Sequence, residues 1–201
     1  MGKVTTGATM SIDGYIAGPN ESGFDLLFQW YNNGDVVTKT GHPDMPFSTS
    51  AASAQHLREM METTGALVVG RHLYDFVNGW GGRHPLDVTT VVLTHHLPDD
   101  RPAEDENFVF VTEGIEAAVA KAKEIAGNKT VGVNGGQMAS QCFDAGLLDE
   151  IHVDLVPVLL GAGTPFFSGL ATKPVQLEGP VKLVEGTGVT HITYAVRKQG
   201  R

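Results

Sequence analysis

Two adjacent glycines, Gly135 and Gly136, stand where the apolar run Thr130-Val131-Gly132-Val133-Asn134 gives way to Gln137-Met138-Ala139-Ser140, the opening of a helix. A helix N-terminus carries unpaired N–H groups and a partial positive charge, so it suits a phosphate. Glycines just before it let a pyrophosphate lie on the backbone. They also suit a plain strand-to-helix turn, and the spacing is not the dinucleotide pattern G-x-G-x-x-G. The other close glycine pair, Gly161-Ala162-Gly163, runs into Thr164-Pro165-Phe166 and reads as a turn.

Two further strand ends carry phosphate chemistry. Gly70-Arg71-His72 follows the buried run Ala66-Leu67-Val68-Val69, and Thr94-His95-His96 follows Thr90-Val91-Val92-Leu93. In α/β sheets ligands bind at the C-terminal ends of strands, and a guanidinium there can grip a phosphate with two donors. Taken singly, the arginine reads as a solvated helix start. Taken together, the three strand ends form one extended nucleotide site: pyrophosphate over Gly135-Gly136, a further phosphate near Arg71 and Thr94. A second phosphate point on an adenosine favours NADP over NAD. Adjacent histidines point apart in any regular element, and the chain has neither H-E-x-x-H nor C-x-x-C, so the sequence predicts no metal site.

Composition narrows the remaining classes. The net charge of −9 comes with no basic block, which argues against a nucleic-acid partner. It also means that an anionic ligand needs locally concentrated positive groups, as the three strand ends provide. No run of about 18 apolar residues is present, and the N-terminus lacks the apolar core of a signal peptide. The single cysteine, Cys142, fits a reducing, cytoplasmic setting.

Those strand ends need a sheet to align them. Lys3–Met10 alternates like a first strand and ends in the turn Ser11-Ile12-Asp13-Gly14 before Tyr15-Ile16-Ala17. Ala54, Leu57, Met60 and Met61 recur at helical spacing, with Ser48, Thr49 or Ser50 as N-cap. Phe108–Val111 is a strand. Thr112 is placed to cap a helix whose face is Ile115, Ala118, Val119, Ala122, Ile125 and Ala126. Ile151–Val156 is another strand. Val181–Glu185 and Val189–Arg197 pair as a hairpin across Gly186-Thr187-Gly188. Between residues 19 and 50, Phe24–Tyr31 reads as a helical piece and the rest as loop. Strands alternating with helices and ending in antiparallel strands predict a three-layer α/β sandwich. Residues 1–201 show no linker or repeat and read as one domain.

The order of motifs resembles the dihydrofolate reductase-like superfamily, and more closely the reductase domain of the riboflavin-biosynthesis deaminase/reductases. The matching stretches are Thr9–Gly18 (TMSIDGYIAG), Val69–Tyr74 (VGRHLY), Val92-Leu93-Thr94, Val133–Gly136 (VNGG) and Val156–Phe167 (VPVLLGAGTPFF). The resemblance implies a mixed, mostly parallel eight-stranded sheet with a C-terminal antiparallel hairpin, NADPH as hydride donor, and a homodimer. It implies cofactor contacts at Thr9, Ile16 and Gly18 for the nicotinamide, and at Gly70, Arg71, His72, Thr94 and His95 for the phosphate and adenine end. Asn134, Gly135, Gly136, Gln137 and Met138 are implied for the pyrophosphate. It assigns the L-L-G-x-G-x-P stretch a structural role.

For substrate and proton the chain departs from its relatives. True dihydrofolate reductases hold the pterin with an acid on the first helix, for which Asp25 is the nearest candidate here. The riboflavin reductases carry a basic residue where this chain has Tyr15. Asp13 is a candidate donor or anchor, although Asp in a D-G turn also serves the turn itself. Trp30, Tyr31 and Tyr74 are candidates for an apolar floor under a flat heterocycle, with core packing as the plain alternative; His152, alternating with Ile151 and Val153, reads as structural. The expectation is an NADPH-dependent reductase of a small pterin- or pyrimidine-like molecule. Its alternatives are the 5-amino-6-(5-phosphoribosylamino)uracil reductase of riboflavin synthesis, which is disfavoured by Tyr15 and by the lack of an attached deaminase domain, a non-catalytic NADPH-binding module, and a ligand-free assembly protein.

Overall fold

The computed structural model describes residues 2–42, 44–98, 106–171 and 173–197. Eight strands form one sheet. Six run parallel: β1 (Val4–Ser11), β5 (Thr64–Gly70), β6 (Thr90–Leu93), β7 (Phe108–Val111), β8 (Thr130–Asn134) and β9 (Glu150–Val156). The hairpin of β11 (Glu178–Gly186) and β12 (Val189–Ala195) adds two antiparallel strands, giving the order β11-β12-β9-β1-β8-β5-β6-β7. This is the mixed, mostly parallel α/β sandwich that the sequence predicts.

One face of the sheet is closed by α4 (Ile115–Ala126) and α5 (Gln137–Asp144). The stripe Ala118, Val119, Ala122 and Ala126 is buried against Val4, Ala66, Val68, Val91, Val131 and Val133. Burying each valine from water contributes on the order of 2 kcal/mol. The cap of α4 differs from the expected one: Gly114 precedes the helix, and the Thr112 amide donates to Glu113 Oε2 instead.

The opposite face is covered only at its two sides. On one, α2 (Ala51–Thr63), capped by Ser50 accepting from the Ser53 amide at 3.3 Å, packs with Leu27, Trp30, Val156 and Val189. On the other, α3 (Arg71–Phe76) sets Leu73 and Tyr74 against Val69, Val92 and Phe108. Between these two supports β1 and β8 are left with small residues, Gly7 and Gly132 among them, and a groove opens above them.

The segment read as loop contains two short strands, β3 (Val36–Thr38) and β4 (Phe47–Thr49), paired antiparallel. Its helical piece is α1 (Phe24–Leu27) followed by a 3₁₀ turn at Gln29–Asn32. A last small pairing joins β2 (Tyr15–Ala17) to β10 (Thr164–Pro165). Part of the acidic stretch before Phe108, residues 99–105, lies outside the described residues.

Candidate active site

The groove has a volume of about 1780 Å³ and runs along the uncovered sheet face, from Lys3, Thr64 and Thr130 at the strands' N-terminal ends to the C-terminal ends of β1, β8, β5 and β6. That exceeds the 300–1,000 Å³ typical of a small-ligand pocket and leaves room for a dinucleotide beside a second molecule.

Its centre is the glycine pair. Gly136 sits at φ +78, ψ −139, a backbone conformation essentially confined to glycine. A Cβ on Gly135 would come within 3.0 Å of Ile16 Cδ1 and 3.3 Å of Ala8 Cβ. The pair lies under the groove with α5 starting directly behind it; a side chain is opposed by crowding at Gly135 and by the backbone conformation at Gly136, where a Cβ would make only ordinary contacts at 3.7 Å. Asn134 braces it: its Oδ1 accepts the Gly70 amide at 3.1 Å, and its Nδ2 donates to the Gly135 carbonyl at 2.9 Å. Gln137 and Met138 line the same wall.

The second end is built around one carbonyl. His96 O accepts the Thr94 hydroxyl at 2.8 Å and Arg71 Nη1 at 3.2 Å. Arg71 Nε is shared between the two carboxylate oxygens of Asp75, at 2.7 and 2.8 Å. Thr94 therefore shapes the loop with its proton, and does not offer that proton to a ligand as expected. Arg71 is held in place at the groove edge, half-exposed, where it can face an anion. His95 and His96 line this end, and His72 pairs with Glu21 across the mouth.

At the third end stand Thr9, Ile16, Phe24, Phe28 and Tyr31. The Thr9 hydroxyl accepts from the buried Trp30 indole at 3.3 Å. Tyr31 is stacked between Trp30 and Phe47, with ring centroids 4.0 and 4.3 Å away. Burial, helped by the nearby Asp154 charge, raises the Tyr31 pKa far above the ordinary tyrosine value, so its phenol keeps its proton.

Several sequence candidates lie elsewhere. Asp25 is exposed on α1 and does not line the groove. Asp13 is turned to the loop after β9: it accepts from Ser11 Oγ at 2.6 Å, Gly161 N at 2.7 Å and Leu160 N at 3.1 Å. Those hydrogen bonds, the serine's first, lower its pKa and make it a clasp. Trp30 and Tyr74 are core residues, Tyr74 lying edge-on to Phe108 and Phe110. Gly18 lies outside the groove, its amide donating to Ser22 O at 2.8 Å.

Among the carboxylates lining the groove, Glu21, Glu59, Glu150 and Asp154, the one opposite Thr9 in register is Asp154 on β9. The sequence carried one signal for it: alternation along Ile151–Leu155 puts His152 and Asp154 on one side of an otherwise apolar strand. Asp154 accepts from His191 Nδ1 at 2.6 Å, and His56 Nε2 lies 3.8 Å away. Burial pushes the His56 pKa down to about 4, partly opposed by the Asp154 charge.

Comparisons with known proteins agree with this geometry. The putative riboflavin biosynthesis protein of Shewanella sp. PV-4 superposes with a TM-score of 0.72 at 22% identity, covering 97% of this chain and 99% of that one. Dihydrofolate reductase of Enterococcus faecalis, in its complex with NADP(H) and RAB-propyl, superposes with a TM-score of 0.54 at 17% identity over 96% and 95% of the two chains. The uncharacterized protein YwjB of Bacillus subtilis (strain 168) is 25% identical over 171 residues, 85% of this chain and 86% of that protein. The model of the RibD C-terminal domain matches residues 2–187, and the chain belongs to that family.

Proposed function

We propose that this protein is an NADPH-dependent reductase of a small heterocyclic substrate. The observation that carries the reading is the meeting of three strand ends in one groove: Arg71 with the Thr94–His96 loop, the flat Gly135-Gly136 cradle, and Thr9 with Ile16. NADPH supplies the hydride. The chain's own residues bind and orient. The backbone at Gly135 and the start of α5 receive a pyrophosphate, Arg71 receives the ribose phosphate, and the side chains of Ile16 and Phe28 exclude water from the ring end. Positioning and a dry site are what hydride transfer asks of a protein.

The substrate end supports a flat ring with N–H donors. Phe24, Phe28 and Tyr31 form an aromatic wall, and the Asp154 carboxylate accepts hydrogen bonds beside it. The protonated Tyr31 phenol is a donor at the same place. A second reading, the uracil reductase of riboflavin synthesis, is favoured by the family and disfavoured by Tyr15 in place of the base that those enzymes carry. Calorimetric titration with NADPH and, separately, NADH tests the proposal. Tight NADPH and weak NADH binding supports it, and binding of neither removes the nucleotide site and the reductase with it.

A homodimer belongs to the same proposal. The edge strand β11 exposes Val181 and Leu183, a surface suited to a second copy. Light scattering on the wild type and on Leu183→Lys checks this; a monomeric wild type refutes it.

A further inference from the structure

His56, Asp154 and His191 come from α2, β9 and β12, and their ligating atoms all lie within 4.8 Å of one another. We infer that these three side chains form a binding site for a first-row divalent cation such as Zn²⁺, opening into the groove.

The first reason is an imidazole without a hydrogen bond. His56 is nearly buried, with 11% of its side chain exposed. Its Nδ1 has no partner among the described residues, and its Nε2 is 3.8 Å from Asp154 Oδ1, beyond a hydrogen bond. Buried polar groups are rarely left so, and each such group needs a reason. A cation on Nε2, the nitrogen beside the carboxylate, would supply one of the two partners the ring lacks, with Nδ1 remaining the protonated nitrogen.

The second reason is support from behind. His191 is 2% exposed, and its Nε2 meets Ser53 Oγ at 2.9 Å while its Nδ1 faces Asp154. A serine hydroxyl can donate or accept. Without metal it can donate to Nε2 while Nδ1–H donates to Asp154. With metal on Nδ1 it can accept from Nε2–H. The change is one of tautomer and releases no proton. Metal-binding histidines are characteristically held in this way through their other nitrogen.

The donor set and spacing agree. Two imidazoles and one carboxylate suit zinc and its neighbours, and an ion about 2.0–2.2 Å from each donor sets them roughly 3–3.5 Å apart. The two imidazoles stand 2.6 and 3.8 Å from Asp154 Oδ1, on either side of that range, and the three donors lie within 4.8 Å of one another; ligation requires the His56 ring, stacked on His191 with centroids 4.2 Å apart, to tilt so that both ring planes meet the ion. The nearby ammonium of Lys182 is paired with Glu59 at 2.6 Å, which reduces its opposition to a cation. The open side faces the groove, leaving a coordination position for water or a ligand. This inference does not depend on the reductase reading.

The test is a titration of the metal-free protein with Zn²⁺ by calorimetry, followed by Co²⁺ as a visible-absorption probe. One equivalent should bind, giving the visible bands of a nitrogen- and oxygen-ligated cobalt. The isosteric Asp154→Asn should weaken binding at least 30-fold, and Ser53→Ala by about 10-fold through the loosened His191. His42→Ala, outside the groove, should leave the affinity unchanged. His56→Gln repeats the test with a groove-lining residue should the Asn variant prove unfolded by circular dichroism. No binding by the wild type overturns the site. So does equal binding by folded Asp154→Asn or His56→Gln protein, which would assign the metal to surface histidines.

Discussion

Asn134 Oδ1 accepts the Gly70 amide at 3.1 Å, so the ends of β8 and β5 are tied together at the point where the glycine cradle and Arg71 begin. A single side chain thereby sets the distance between two proposed phosphate contacts. Asn134→Ala leaves the Gly70 amide without its acceptor and frees the Gly135 carbonyl. The expected result is a loss of NADPH affinity of about tenfold, read by calorimetry, with a stability cost on the order of 1 kcal/mol in urea unfolding.

Arg71 should discriminate between the two nicotinamide cofactors. Arg71→Ala removes the guanidinium that the extra ribose phosphate would meet, and is expected to weaken NADPH by at least tenfold while changing NADH little. Equal loss for both would refute the phosphate role. The ion pair with Asp75 is exposed and adds little to folding, so the variant should unfold at nearly the wild-type urea concentration.

Gly136→Ala introduces a Cβ at φ +78, where the surrounding space is open but the backbone is not. Strain of about 1–3 kcal/mol is expected in urea unfolding, with NADPH binding lost or sharply weakened. Gly135→Ala should act differently, since its Cβ would press on Ile16. It should cost less stability and report mainly at the nicotinamide end.

His84 predicts a pH dependence. Burial pushes its pKa from the ordinary 6.5 down to about 4, and its Nδ1 accepts the Leu86 amide at 3.1 Å. The unfolded chain therefore binds a proton that the folded one refuses between those two values. The contribution to stability is complete above pH 6.5 and declines as pH falls to about 4, by roughly 2–3 kcal/mol. His84→Asn keeps an acceptor for Leu86 without the titration. The urea midpoint of the wild type should fall relative to that of His84→Asn as pH is lowered across this range; a constant difference would refute the titration.

Cys142 is fully buried, and burial pushes its thiol up to about 12, with Lys123 opposing weakly. Iodoacetamide at pH 8 should label the native protein at least 100-fold more slowly than the urea-unfolded chain, measured by intact mass. Fast native labelling would contradict the packing of α5.

The sheet was legible because its strands are buried on both faces and read as apolar runs: Ala66–Val69, Thr90–Leu93 and Phe108–Val111 stand out from polar flanks. The strands β3 and β4 were not, being three residues each among Gly, Asp and Pro. The strand-to-helix turn at Gly135-Gly136 was legible because its signal is local, a glycine pair and a helix start. The carboxylate end was not. His56, Asp154 and His191 are separated by 98 and 37 positions (154 − 56 and 191 − 154), and only the sheet register and α2 bring them together. Asp13 misled for a related reason, since its turn chemistry extends to a loop nearly 150 residues away.

That loop joins the two ends of the groove. The Phe166 amide donates to Gly14 O at 3.0 Å and the Phe166 carbonyl accepts from Gly136 N at 2.8 Å. Gly163 presses so close to Ala17 that a Cβ would lie 2.0 Å from its carbonyl oxygen. For anyone reshaping specificity by mutagenesis, the two sides of the groove are not equally open. Phe24 and Phe28 can be varied to suit a new substrate at modest risk, whereas Leu27 and Trp30 beside them belong to the core. A library over residues 162–167 would disturb the backbone at Gly14, Ala17 and Gly136 together, and its survivors would be selected for preserved backbone geometry before any new activity could be sampled.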